Sequence, residues 1–484
     1  MRKILKNLNS NKIYNLMDKI SYVYMTLPYL IFFCGWVKTK FAIPLVGILF
    51  VILLRVIFSK RESTINMCDK MLECDKKTVF MIAAIIILWV AMSGIGKVSY
   101  QTDDHIWRNG LFETLVNQQW PVIDYESGRG VSYYIAFLLP AACVGKVFGI
   151  NIGYKFQIIW AVIGVCLFYF YICKIIKKVA VWPLLVFILF SGLDIIGEFL
   201  VGNNQNLLFS PEHLEWWAGQ YQFSSHTTQL FWVFNQAIPA WLAVAMILCM
   251  ENNKKILLVW SCLVLYSTYP FIGMLAIAPF VIMQNSKKNN YGFKEFVQNI
   301  LTVENTLGAG IIFIVSFLYL SRAGDSMKLG ITRLSNGGWL IYIVFILIEV
   351  GCYFWIIYGA QKNNILYYSS LAWLLMCPLL NVYGEKNFCM RASIPALVIL
   401  YLLLIETILK CKEKKKLIVI GMLLCIGSIT PMHEVIKTVS MNKKAYVEKN
   451  VSISQRAATY EEVMSNEYET VDIKGSVFFK YIAK

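Results

Sequence analysis

The stretch Thr78-Val-Phe-Met-Ile-Ala-Ala-Ile-Ile-Ile-Leu-Trp-Val-Ala-Met-Ser93-Gly-Ile-Gly-Lys97 carries no charge before its last residue. At about 1.5 Å of rise per residue, roughly 20 such residues reach across the hydrocarbon core of a bilayer. Comparable runs recur throughout the 484 residues, of which 58% are apolar and 15% charged, with a mean hydropathy of +0.59. Ordinary soluble domains hold about 25% charged residues. A soluble globular enzyme is excluded, and so are a disordered and a collagen-like chain. The expected fold is an all-α polytopic integral membrane protein.

Working outward, spans are expected near 20–36, 41–59, 78–97, 153–173, 179–200, 228–250, 299–320, 338–359, 363–381, 392–410 and 415–432. Residues 256–284 are too long for one ordinary span, and Tyr269-Pro270 breaks them, so a tight helical hairpin is expected. Residues 131–149 are apolar but contain Tyr133, Tyr134, Pro140 and Lys146, and they read as an uncrossed segment. The net charge of +16 sits in short segments between apolar runs, which marks cytoplasmic loops and not a nucleic-acid surface. These segments hold Arg2, Lys3, Lys6, Lys12 and Lys19; Lys60, Arg61, Lys70, Lys76 and Lys77; Lys174, Lys177 and Lys178; Lys254 and Lys255; Lys287, Lys288 and Lys294; and Lys410 to Lys416. Placing all of them on one side gives about 13 spans, a cytoplasmic N-terminus and an external C-terminus. The chain then divides into 1–77 (a cytoplasmic segment and two spans), 78–432 (the core, with external loops 98–152 and 201–227) and 433–484 (a small external tail).

The first apolar run lacks a cleavage pattern and is expected to be retained as a span. Most of the 13 cysteines lie inside apolar runs, where they act as small hydrophobes; Cys68 and Cys74 flank a charged loop without zinc-site spacing. Gly94-Ile-Gly96-Lys97 lacks the Walker A spacing, and its glycines suit helix packing or termination.

The richest loop follows at once: Tyr100-Gln-Thr-Asp103-Asp104-His105-Ile-Trp107-Arg108-Asn-Gly-Leu111-Phe-Glu113-Thr-Leu115. Trp107, Leu111 and Leu115 recur every four residues, so 104–118 reads as an amphipathic helix on the outer interface, with Trp107 and Trp120 as anchors. Two readings of the acidic pair stand side by side. Asp103 suits an N-cap, and Asp104 with Arg108 suits an i, i+4 ion pair. The same carboxylates also sit at the mouth of the bundle, where a substrate in the bilayer would present its headgroup. Asp194 and Glu198 lie four apart in one span, and intramembrane acids mark a functional cavity by default.

An acidic motif in the first extracytoplasmic loop resembles the GT-C class of polytopic glycosyltransferases, within a poorly characterised bacterial envelope family. The resemblance also draws on Tyr133-Tyr134-Ile-Ala-Phe-Leu-Leu-Pro140, on Phe234-Asn235-Gln236-Ala-Ile-Pro239-Ala-Trp241 and on Met390-Arg391-Ala-Ser-Ile-Pro395. It covers roughly residues 78–430, and the pair of spans before 78 departs from the simplest layout of that class. It implies a multi-pass protein of the bacterial cytoplasmic membrane with a GT-C-like bundle and interfacial helices in its external loops. It further implies a polyprenyl-phosphate-linked sugar donor and a glycan or lipid acceptor at the outer face.

Such a transfer needs a carboxylate to take the acceptor's proton and a cation for the departing phosphate. Asp103 or Asp104 is the candidate base. Arg391 is the candidate phosphate ligand through its forked guanidinium, in competition with Arg129 and with ordinary snorkelling. Arg108, Tyr133, Tyr134, His226, Gln229, Asn235 and Gln236 complete the expected substrate-binding set. His213 and His226 with the acidic pair are candidate ligands for a divalent metal, although they match no ligand motif; no cofactor signature is present. The alternatives are an envelope polysaccharide polymerase or ligase and a transporter of lipid-linked or polar substrates.

Overall fold

The stretch that opens the reading folds as the helix Lys76–Met92, started by the Asp75 carboxylate, which accepts from the Lys77 amide at 3.3 Å. It stops where Gly94 and Gly96 take positive φ angles of 83° and 69°. A Cβ on Gly94 would meet the Tyr100 carbonyl at 2.8 Å, and the Ser99 hydroxyl accepts from the Gly94 amide at 2.9 Å. The glycine pair is therefore a helix terminator that folds the chain back over its own end.

The computed structural model describes residues 2–59, 75–202, 213–321, 329–331, 338–382, 387–448 and 456–484. The loop bearing Lys60, Arg61, Cys68, Lys70 and Cys74 lies outside the described residues. Among the described residues helices dominate, and five short strands accompany them. Seven helices among these residues are long and apolar enough to cross a membrane: Thr39–Phe58, Ile150–Ile176, Trp182–Leu200, His226–Leu248, Thr268–Lys288, Gly338–Gln361 and Lys414–Lys443. The pair Phe293–Ile300 and Glu304–Leu320, bent by 52°, makes an eighth if it is one span. Other apolar runs form shorter helices, such as Lys76–Met92 and Ile394–Lys410 with 17 residues each.

The centre of the bundle is His226–Leu248, buried at all residues but Trp232 and Leu248, its polar Thr227, Thr228, Gln229, Asn235 and Gln236 included. Trp89 and Trp241 stack there at 5.9 Å, and each indole finds a partner, Thr227 at 3.1 Å and Gln229 at 2.9 Å. Residues 256–284 fold back on themselves, but the expected hairpin of two spanning helices is uneven: its first helix, Ile256–Ser261, has six residues, and Thr268–Lys288 is the arm long enough to cross. Asn253, before the turn, donates to the Ser286 hydroxyl after it at 2.9 Å, so both ends lie together. Residues 131–149 hold the helix Leu139–Phe148, ten residues long and too short to cross.

Helix Arg2–Trp36 fixes the two ends of the bundle. Near one end Asp18 pairs with Lys174 at 3.5 Å, and Lys255 reaches Ser59 at 3.2 Å. Near the other, Trp36 packs on Trp120 at 4.8 Å, and its carbonyl accepts from the Lys484 amide at 2.9 Å. Several basic segments thus gather at one end, and a cap closes the other.

The cap differs from expectation in two ways. The helix Asp104–Asn117 is present, yet nine of its fourteen residues are buried, and Trp107 is exposed while Leu111 and Leu115 are fully covered. It is wedged into protein because the C-terminal segment lies on it: a Cβ on Gly110 would come within 2.5 Å of the Ala458 carbonyl. The 432/433 boundary also falls inside the helix Ile429–Glu448. Beyond it, residues 456–484 join the cap. Strands β1 (Ile123–Asp124), β2 (Arg129–Val131) and β5 (Thr470–Asp472) form an antiparallel sheet in which Val131 faces Thr470. β3 (Leu329–Ile331) and β4 (Leu380–Val382) pair separately. Few apolar residues suffice to dock the tail: Val463, Met464, Phe478 and Phe479 are all buried.

Candidate functional site

The site begins with the i, i+4 pair. Arg108 Nη2 bonds Asp104 Oδ2 at 3.0 Å, as helix geometry allows for residues one turn apart. The guanidinium is then held from a second element, because Arg108 Nε donates to Asn235 Oδ1 at 3.2 Å and its plane lies 5.7 Å from the Phe234 ring. Asn235 reaches it because the central helix is irregular here. Val233 has non-helical angles of φ −136° and ψ 37°, and Pro239 has no N–H to return to the Asn235 carbonyl. A third element brings Arg391, from the short helix Asn387–Ala392, with Nη2 3.9 Å from the same Asp104 oxygen. Asn387 accepts from Arg391 Nη1 and fixes its orientation.

Tyr133 lies near enough to Arg108, Glu469, Arg391 and Asp104 to feel their charges. Its ring is 4.9 Å from that of Tyr134, whose hydroxyl meets Thr268 at 2.6 Å. The aromatic row continues through Tyr269 to Phe388. Gln236 lies beneath, accepting from Ser267 at 2.8 Å at the turn of the folded-back segment.

The carboxyl groups are pushed in opposite directions. Burial works against ionisation of Asp104, but the guanidiniums of Arg108 and Arg391 outweigh it and hold the carboxyl below its usual range. Glu469, from the C-terminal segment, is pushed up to about 8 by burial, with Arg108 as a partial counterweight. Two arginines against one ionised carboxylate leave the site positively charged near neutral pH. The Asp104 side chain, 39% exposed, is its opening to the surroundings. His105, pushed down to about 3 by burial and by Arg108, is neutral and stacks on Phe234.

Of the residues expected from sequence, Asp104, Arg108, Tyr133, Tyr134, Asn235 and Arg391 are brought together, with Gln236 just below. Asp103 is exposed and makes no side-chain cap bond. Arg129 turns to the tail, donating to Thr470 at 3.0 Å. His226 is caged by Phe187, with ring centres 3.9 Å apart, and by Trp241 and Tyr401. Gln229 serves the Trp241 indole and the Ser224 carbonyl. No group of three or more His, Cys, Asp or Glu able to hold a metal occurs among the described residues. No family model, curated protein or solved structure matches this chain.

Sequence reasoning missed two things. Glu469 is one: it lies far from the loop in sequence, and the β-forming Thr470-Val471 beside it is the sole local sign that it might join a sheet. The other is a second polar cluster. Asp194 Oδ2 accepts from Ser191 at 2.9 Å and Thr430 at 2.8 Å. Trp217 donates to Glu349 at 2.9 Å. Nearby, Glu215 accepts from the Ser225 amide and Gln222, both at 2.9 Å, and is pushed up to about 7 by burial. His213 stands between Glu215 at 3.7 Å and Glu434 at 3.3 Å, with Trp232 donating to Glu434 at 3.1 Å. Asp194 and Glu198 were legible as intramembrane acids, but the partners of Asp194 come from distant segments.

Proposed function

We propose that the chain is a GT-C-like membrane glycosyltransferase that moves a sugar from a polyprenyl-phosphate-linked donor to an envelope glycan or lipid acceptor. On this reading the cap end faces outward, the basic end faces the cytoplasm, and the bundle crosses a bacterial cytoplasmic membrane about 13 times by the positive-inside argument. One observation carries the proposal: Arg108 and Arg391 converge on Asp104 beside Tyr133 and Tyr134.

A phosphate suits two guanidiniums better than one carboxylate does, since it offers several anionic oxygens to their forked donors. Its arrival draws the arginines from Asp104 and frees that carboxylate to accept a proton. In the transfer step the acceptor oxygen bonds the anomeric carbon as the bond from that carbon to the phosphate oxygen breaks. The electron pair leaves with the polyprenyl phosphate, stabilised by Arg108 and Arg391, and the acceptor proton passes to Asp104. The test is reconstitution of the full chain with polyprenyl-phosphate-glucose and membrane acceptors, comparing wild type, Asp103→Asn and Asp104→Asn. Loss of transfer in Asp104→Asn alone, with unchanged melting, supports the assignment; wild-type rates in that variant remove Asp104 as the base.

The buried acids give a second reading some footing. Carboxyl groups from Asp194 through Glu349, Glu215 and Glu434, with His213 among them, suit proton-coupled transport. Flux of lipid-linked sugar across sealed vesicles without covalent change would favour it.

A further inference from the structure

Glu469 has no part in the transfer step above, yet its position is tightly set. Ser132 donates its amide to the Glu469 carbonyl at 2.9 Å, which seats the residue beside Tyr133. Glu469 is 4% exposed, and its Oε2 has no hydrogen-bond partner among the described residues. Arg108, 6% exposed, has an orphan of opposite kind: Nη1 is buried without an acceptor while the other nitrogens serve Asp104 and Asn235. A buried donor or acceptor left unpaired loses its hydration without compensation. Two of them, a donor and an acceptor, around one tyrosine ask for a ligand that completes both.

We infer that Glu469 and Arg108 form a subsite for a hydroxyl group of a sugar ring, so that the C-terminal segment completes the binding site. A hydroxyl accepts from Nη1 and donates to the Glu469 carboxyl oxygen Oε2, satisfying both orphans with one atom. An ionised phosphate oxygen would serve Arg108 but has no hydrogen to give to Glu469 Oε2. The Tyr133 and Tyr134 rings supply flat apolar faces against which a pyranose packs. This inference rests on reading Arg108 and Arg391 as an anion site, and it names what recognises the rest of the ligand.

The experiment uses the full chain in nanodiscs and compares binding of glucose 1-phosphate with binding of inorganic phosphate. Wild type is expected to prefer the sugar phosphate by about tenfold, equivalent to about 1.4 kcal/mol. Glu469→Ala should abolish that preference and keep phosphate affinity within about twofold, and Glu469→Gln should retain part of it because its amide still bonds a hydroxyl. A wild type without the preference overturns the inference, as does Glu469→Ala that keeps it. Equal loss of both ligands in Glu469→Ala overturns it too, by assigning the residue to tail docking alone. Transfer from polyprenyl-phosphate-glucose is followed in the same samples. Its absence with the preference intact would remove the transferase reading and leave the subsite standing.

Discussion

The chain buries two charged clusters, and they are built on opposite principles. Around Asp104, arginines from separate elements face one ionised carboxylate, the group opens through that carboxylate, and two buried polar atoms stay unpaired. Around Asp194, acids outnumber bases, and hydroxyl, indole and amide donors from Ser191, Thr430, Trp217 and Gln222 bind the carboxyl oxygens. The first carries an excess of positive charge. The second carries an excess of acid, and its donors reach only part of it: Asp194 Oδ1 and Glu349 Oε2 are buried with no hydrogen-bond partner among the described residues. A group that binds anions keeps positive charge to spare, whereas buried acids in excess depend on the donors that surround them.

Substitutions test that contrast. Arg108→Ala should have the largest effect, since it strips Asp104 and Asn235 of a shared partner: transfer falls below detection, and stability drops by about 2–3 kcal/mol in denaturant titration. Asp104→Asn should separate chemistry from folding, lowering transfer by about 100-fold or more while melting stays near that of wild type. At the second cluster the pattern reverses. Glu349→Leu leaves the Trp217 indole unpaired and should cost about 2 kcal/mol of stability, read as a lowered melting temperature, with the glucose 1-phosphate preference unchanged.

Glu215 gives that cluster a pH signature. Its folded carboxyl holds a proton up to about 7, whereas an unfolded one releases it near the ordinary 4.5. The stabilisation is therefore complete below that lower value and is lost as pH rises toward 7. Melting curves from pH 5 to pH 8 should show this decline in wild type and a shallower one in Glu215→Gln. The smallest change is expected for Asp103→Asn, whose exposed side chain should alter stability by under about 0.5 kcal/mol. A large loss of transfer in that variant would move the acidic centre one residue back.

Much of the cap was readable only in part. The helix after Asp103 and its Asp104–Arg108 pair follow from local spacing, because residues one turn apart on a helix meet wherever that helix lies. The same spacing misjudged how the helix sits. Trp107, Leu111 and Leu115 suggest a stripe toward lipid, but the tail covers the helix, and no feature between 456 and 484 announces that. His226 and Gln229 were expected in the substrate-binding set from their side-chain chemistry and external placement. Packed among Phe187, Trp241 and Tyr401, they hold the bundle together.

By itself the sequence determined that this is a helical membrane chain, where its glycine pair ends a helix, and which carboxylate has an arginine one turn away. These are local consequences of hydropathy, backbone freedom and helical pitch. The tertiary structure alone decided that Asn235, Arg391 and Glu469 gather around that pair, and that acids from distant segments share the second cluster. Such meetings depend on how helices far apart in the chain pack and on where the tail docks, energies shared over the whole core that no short window of residues contains.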